Sequence, residues 1–277
     1  MTTLSQRAFN ANRDGAPITV SFEAFPARNS ADLQGLVDMA QVLEGYEPTF
    51  LSVTYGAGGS TRETTLNCVE QIASNTSHKI AGHLTCVGAS CDETNQVIDE
   101  YARLGVEHIV ALRGDAPAGA DRYEAHPAGY QSTADLVKHL KHLNKFDISV
   151  AAYPETHPDS GSLNEDLDNL KAKIDAGADR AITQFFFDND VYGEFVDKAV
   201  SHGIDKDIVP GILLIHDFAK VENFARRCHA SIPDWLKQRF AGLENDLEAQ
   251  KLAAVAVAAE QVLDLAGQGV KHFHFFT

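Results

Sequence analysis

Eight short runs of apolar, β-branched and aromatic residues recur along this chain, each separated from the next by residues of helical period. They are Thr19–Phe25, Phe50–Tyr55, Ile80–Cys86, His108–Gly114, Asp147–Pro154, Arg180–Phe187, Ile208–Ile215 and His272–Thr277. Eight strands alternating with helices is the sequence form of a (β/α)8 TIM barrel, an α/β fold. A polar or charged residue stands at or just past the end of nearly every run. In such barrels the active site collects at the C-terminal ends of the strands. The alternation therefore also yields candidate site residues: Glu23, Thr54, His83, Arg113, Asp115, Tyr153, His157, Gln184 and Asp188.

The intervening segments carry their own start signals. Ser30 reads as the N-cap of a helix over 31–43, with Leu33, Leu36, Val37, Ala40 and Leu43 at helical spacing. Further helices are expected over 92–104, from about Asn164 to Gly177, over 191–202, after Asp217, and over 247–265, with a short extra segment at 232–242. The loop 115–132 is rich in Gly, Pro and Ala and has no regular period, and long loops inside compact domains are often functional. One catalytic domain over 1–277, without internal repeat or linker, is the simplest organisation. The eighth run is the last one given, so the helix that normally closes such a barrel is missing from the expected order. An uncovered flank would expose apolar surface and favour a homo-oligomer.

Composition excludes several function classes. The 277 residues contain 44% hydrophobic and 22% charged residues, enough for a packed core. A net charge of −16 argues against a nucleic-acid or anionic-membrane partner, which would need clustered Lys and Arg. No stretch approaches the about 18 apolar residues of a membrane span, and the N-terminus has no apolar signal core. Four scattered cysteines without a C-x-x-C pattern suggest a reduced, cytoplasmic protein.

Glu23 stands inside an apolar run near its end, where a carboxylate must face the barrel mouth, pair with a neighbouring Arg or Lys, or pay heavily for desolvation. An apolar surround would raise its pKa and suit a general acid. In Leu112-Arg113-Gly114-Asp115 a glycine lets a planar ligand approach the backbone between a cation and an anion, unless Arg113 and Asp115 simply pair. Gln184 offers a donor and an acceptor to a heterocycle, or a hydrogen bond to the barrel backbone. Tyr153 and His157 could frame a flat ring, and His83 could equally be a core histidine. The loop 56–61 departs from the dinucleotide pattern at Thr61. His139 with His142, and His272 with His274, lack the carboxylate spacing of a metal motif, so no metal is expected.

In order along the chain, Ser21-Phe22-Glu23, Leu51-Ser52-Val53-Thr54-Tyr55-Gly56, His83-Leu84-Thr85-Cys86, His108 to Asp115, Ser149 to Glu155 with His157, Ala181 to Asp188, Pro210-Gly211-Ile212-Leu213 and Phe273-His274-Phe275 resemble the 5,10-methylenetetrahydrofolate reductase family. The likeness covers nearly the whole chain and is to the short bacterial form, which has no regulatory domain. Phe276 stands where the family commonly has tyrosine, and the family continues past its last strand with a Leu-Asn-Arg stretch and a closing helix.

The resemblance implies a flavoprotein oxidoreductase that uses FAD as cofactor and NADH or NADPH as co-substrate. It would reduce 5,10-methylenetetrahydrofolate to 5-methyltetrahydrofolate in ping-pong fashion through flavin N5, within one-carbon metabolism and methionine biosynthesis. It places Thr54, His83, Leu112, Arg113, Gly114, Asp115, Tyr130, Ala151, Tyr153, His157, Asp166 and Lys173 at the flavin. Glu23 would be the general acid that opens the methylene bridge, Asp115 would tune the flavin, Gln184 would bind the pterin, and Phe218 would pack on substrate or nicotinamide. The competing expectations are a proline-dehydrogenase-type FAD barrel, a colourless metal-dependent barrel aldolase or hydrolase, and a non-catalytic barrel subunit.

Overall fold

The computed structural model describes residues 17–55, 62–115 and 123–277. Strand and helix alternate in the order β1 Thr19–Ala24, α1 Ser30–Leu43, β2 Leu51–Val53, α2 Arg62–Asn75, β3 Ile80–Thr85, α3 Cys91–Arg103, β4 His108–Leu112, α4 Thr133–Leu143 and β5 Asp147–Ala152. There follow α5 Leu163–Asp175, β6 Arg180–Thr183, α6 Asn189–Ser201, β7 Asp207–Val209, β8 Gly211–Leu213, α7 Phe218–Cys228, α8 Asp234–Phe240, α9 Leu247–Gly267 and β9 His272–Phe276. The strands are ordered β7-β6-β5-β4-β3-β2-β1-β9-β8. Adjacent strands are parallel where their register is defined. This is the TIM-barrel class of α/β fold.

The nine strands correspond to the eight expected runs because Pro210 divides the seventh. Proline has no N–H to give a ladder, so the run Ile208–Ile215 becomes β7 and β8. The Pro210 carbonyl still accepts from His274 N–H at 3.0 Å, and Gly211 N–H donates to Thr183 Oγ1 at 2.9 Å. A Cβ at Gly211 would lie 2.3 Å from the Thr183 carbonyl oxygen, so only glycine fits there.

The chain divides into two compact units. One comprises Val20–Ala151, Leu170–Ala181 and Thr277. Its strand β3 is buried along its whole length, as a parallel strand covered on both faces should be. Helix α3 begins with a capping box in which Ser90 and Glu93 satisfy each other's backbone N–H groups, and it buries Val97, Ile98 and Tyr101. Burial of each such side chain contributes about 1.5–3 kcal/mol.

The other unit comprises Ala152–Asn169 and Ile182–Phe276, with the described residues up to Thr19. The run Arg180–Phe187 is strand only to Thr183. Beyond it, Gln184 Oε1 accepts from Phe185 N–H at 3.1 Å, turning the backbone away from the ladder. The three phenylalanines then serve two clusters. Phe185 and Phe187 pack with Ile215, Leu236 and Phe240. Phe186 packs with Ile212 and Phe273 and stacks on Tyr192 at 5.2 Å.

Helix starts follow local chemistry. Asn29, rather than Ser30, caps α1, its side chain accepting from Asp32 N–H. Ser132, Asp188, Asp217 and Asp246 cap α4, α6, α7 and α9 in the same way. Each cap is worth about 1 kcal/mol. Those of α6 and α7 stand a few residues past strand ends, Asp188 being itself a candidate residue and Asp217 preceding Phe218. No helix among the described residues is long and apolar enough to cross a membrane.

Candidate active site

In the first unit the register pairs Glu23 on β1 with Ser52 on β2, and Ser52 with Ala81 on β3. Three polar side chains from adjacent strands meet there. His83 Nε2 lies 3.1 Å from Glu23 Oε2 and 3.3 Å from Ser52 Oγ. The side chains of His83 and Glu23 are 6% and 17% exposed. Glu23 thus has a histidine partner two strands away. His83 is both a buried strand residue and a member of the polar cluster.

The backbone around this pair is closely held. Thr277 donates its N–H at 3.0 Å and its hydroxyl at 2.7 Å to the Glu23 carbonyl. The Tyr101 hydroxyl donates to the His83 carbonyl at 2.9 Å. Its ring fills the space beside Gly82, where a Cβ would lie 2.6 Å away. Burial pushes the Tyr101 hydroxyl pKa up, so the phenol stays a donor.

At the end of β4, Arg113 Nε donates to the Gly114 carbonyl at 3.3 Å, and its guanidinium lies over the Tyr123 ring at 4.7 Å. Gly114 adopts φ +87°, and a Cβ there would meet Val87 Cγ1 at 2.3 Å. Asp115 follows, exposed. Beneath this turn Cys86 contacts the Leu112 and Arg113 carbonyls and the Tyr123 hydroxyl. Burial pushes the Cys86 thiol up and Tyr123 to about 12, so Cys86 is an inert filler and not a nucleophile. Thr85 Oγ1 is buried and has no hydrogen-bond partner among the described residues.

The remaining residues of this unit are more dispersed. Thr54 is half-buried past β2, and its carbonyl accepts from Thr65 Oγ1. Tyr130 donates to Asn95 on α3 at 2.8 Å and packs on His139 of α4. Its pKa is raised to about 12, mainly by burial. Lys173 Nζ donates to the Ala151 carbonyl at 2.6 Å. The glycine-rich loop 56–61 and residues 116–122 of the long loop lie outside the described residues.

In the second unit Tyr153 and His157 meet edge to face with centroids 4.5 Å apart. Asp166, 9% exposed, accepts from His157 N–H at 2.7 Å and from the Ser160 hydroxyl. Gln184 is half-buried with its Oε1 engaged by Phe185 N–H. Asp188 caps α6. Phe218 stacks on Phe240 of α8 at 4.8 Å and 6°, and its N–H donates to Gln250 Oε1. Sequence reasoning passed over Ser52, Thr85, Tyr101, Tyr123 and Phe240. Ser52 and Thr85 stood inside quoted motifs, but nothing in a linear sequence marks which neighbour a buried hydroxyl will find.

Comparison with known proteins identifies the family. The family model for methylenetetrahydrofolate reductase matches residues 8–277. The chain is 46% identical over 260 residues to the 5,10-methylenetetrahydrofolate reductases of Salmonella typhimurium and Escherichia coli, covering 94% of this chain and 86% of each relative. It is 33% identical to methylenetetrahydrofolate reductase (NADH) 1 of Arabidopsis thaliana, covering 93% of this chain and 45% of that protein. Among solved structures, an uncharacterized protein from Clostridium thermocellum that binds two copies of 5-methyl-5,6,7,8-tetrahydrofolic acid superposes with a TM-score of 0.64. Its identity is 15%, with 99% of this chain and 91% of that one covered, a likeness of fold alone. The extent and identity of the sequence matches show that the chain belongs to the methylenetetrahydrofolate reductase family, oxidoreductases of folate one-carbon metabolism.

Proposed function

We propose that this chain, as one catalytic barrel domain, reduces 5,10-methylenetetrahydrofolate to 5-methyltetrahydrofolate. FAD would be its resident cofactor and NADH or NADPH its reductant, the two substrates binding in turn, in support of methionine synthesis. The observation that carries the reading is Glu23, a largely buried carboxyl group 3.1 Å from His83 at a strand end.

The residues present fit a flavin. Thr85 Oγ1 is a buried hydroxyl in want of a polar partner beside a glycine turn, and Arg113 and Lys173 supply cations. The residues we assign to the cofactor are Thr54, His83, Leu112, Arg113, Gly114, Asp115, Tyr130, Ala151, Tyr153, His157, Asp166 and Lys173. When bound, a flavin supplies hydride transfer between a nicotinamide and a carbon electrophile.

The chain's own residues supply the rest. Glu23 delivers a proton to the nitrogen that leaves the methylene bridge, and a proton placed within hydrogen-bond reach contributes about 10²–10⁴ in rate. Asp115 adds a negative charge that tunes the cofactor. Gln184, its Oε1 occupied, presents Nε2 to the pterin. Phe218, held flat by Phe240, offers an aromatic face to substrate or nicotinamide. A cytoplasmic homo-oligomer is the expected form, supported by Leu252, Val255 and Leu263, which leave apolar surface open on α9.

The test is colour. The purified protein should be yellow, bleach with NADH or NADPH, and regain colour anaerobically on addition of 5,10-methylenetetrahydrofolate. A colourless protein, or bleached protein that folate leaves unchanged, defeats the reading.

A further inference from the structure

We propose that Gln250 is a positioning residue that fixes where the Phe218 ring stands, and so sets how tightly that ring binds substrate. The role rests on the reading of Phe218 as the aromatic face for folate or nicotinamide, and names what holds that face in place.

Gln250 lies near the start of α9, and only 4% of it is exposed. Its Oε1 accepts from the Phe218 N–H at 3.1 Å, and its Nε2 donates to the Leu243 carbonyl at 2.9 Å. A backbone N–H can only donate and a carbonyl can only accept, so the two partners together fix which end of the amide faces which way. Phe218 is the first residue of α7, so its N–H has no partner within its own helix. The Asp217 cap is spent on the Lys220 N–H at 3.2 Å. A buried side chain from another helix holds the Phe218 N–H instead.

The same amide is tied to both rings of the aromatic stack. Phe218 and Phe240 lie 4.8 Å apart at 6°. Leu243, whose carbonyl Gln250 holds, donates its own N–H to the Phe240 carbonyl at 3.1 Å. One route therefore runs from Phe218 through Gln250 and Leu243 to Phe240, and the ring contact closes it. All four residues belong to one compact unit. Phe240 is buried, whereas Phe218 is only half-buried. Gln250 thus anchors the start of α7 to the turn after α8 and acts on substrate only through the Phe218 ring.

Steady-state kinetics of the flavin-loaded enzyme tests this. Phe218→Leu first shows which of the two substrates relies on the ring, by the KM that rises. Gln250→Met keeps the length and bulk of the side chain but removes both hydrogen bonds. It should raise that same KM about three- to tenfold and change kcat by less than about twofold, the pattern of lost substrate binding. In the double variant the KM should rise no further than in Phe218→Leu, because the ring through which Gln250 acts is gone. An unchanged KM in Gln250→Met, or effects of the two substitutions that simply add, overturns the proposal. If methionine does not fold, Gln250→Glu, which keeps the acceptor for Phe218 and loses the donor to Leu243, is read by the same cycle, and an unchanged KM there overturns the proposal equally. Phe218→Leu with both KM values unchanged removes the reading of Phe218 and this role with it. A raised KM in Phe218→Leu beside an unchanged one in Gln250→Met removes Gln250 alone.

Discussion

His83 Nε2 and Glu23 Oε2 meet at 3.1 Å across β2, joining the first strand to the third. Both side chains stand on parallel strands whose backbones are tied by ladder bonds, by Thr277 and by Tyr101. A carboxyl group mounted in this way cannot wander as one on a loop would. Orientation is therefore set before any substrate arrives.

Replacing Glu23 with Gln preserves the shape and a hydrogen bond to His83 but removes the transferable proton. Formation of 5-methyltetrahydrofolate should fall by about 10²–10⁴-fold, while oxidation of the nicotinamide continues. Anaerobic stopped-flow measurement of each half-reaction checks this.

Gly82→Ala should destabilise the fold by about 1–3 kcal/mol, because overpacking must displace a buried ring. The new Cβ would lie 2.6 Å from Tyr101, whose hydroxyl holds the His83 carbonyl. Urea denaturation measures the loss, and an unchanged midpoint would mean that the ring is not pinned.

Two costs separate at Gly114. Alanine there suffers from φ +87° and from a 2.3 Å approach to Val87. Adding Val87→Ala should relieve the clash but leave a backbone cost of about 1–2 kcal/mol. A double-mutant cycle by denaturation should show strong positive coupling, whereas simple additivity would place the strain elsewhere.

Asp179 gives the fold an acid-sensitive point. Burial raises its pKa, but the Lys141 ammonium, the Ile148 N–H and the Arg180 charge together outweigh burial and hold the carboxyl below its ordinary value of 3.8. A group with a depressed folded pKa stabilises above its unfolded pKa and loses that contribution as pH falls through the folded value. Thermal unfolding should therefore show a loss below about pH 4 that is smaller in Asp179→Asn. Lys141→Met should also weaken the acid dependence, since it removes the 2.9 Å partner.

Much of the fold was readable because its signals are local. Apolar, β-branched and aromatic runs marked eight of the nine strand starts to within one residue, and Asp217 stood just before an expected helix. Strand ends were less readable. Phe185 to Phe187 look like more strand, yet their rings are buried in loop conformation, because burial favours aromatic residues whether or not a ladder continues. Ser30 looked like a cap, but Asn29 next to it has the extended backbone that lets its side chain reach Asp32 N–H.

The sequence by itself determined the alternation of strands and helices, the class of fold and the pool of strand-end residues. It did so because hydrophobic period and capping are properties of neighbours in the chain. Only the tertiary structure decided that Glu23 meets His83, that Ser52 stands between them, and that Phe240 lies flat on Phe218. Those contacts depend on register between parallel strands and on packing between helices. A parallel register is set by the summed burial of whole elements, and no residue announces it alone.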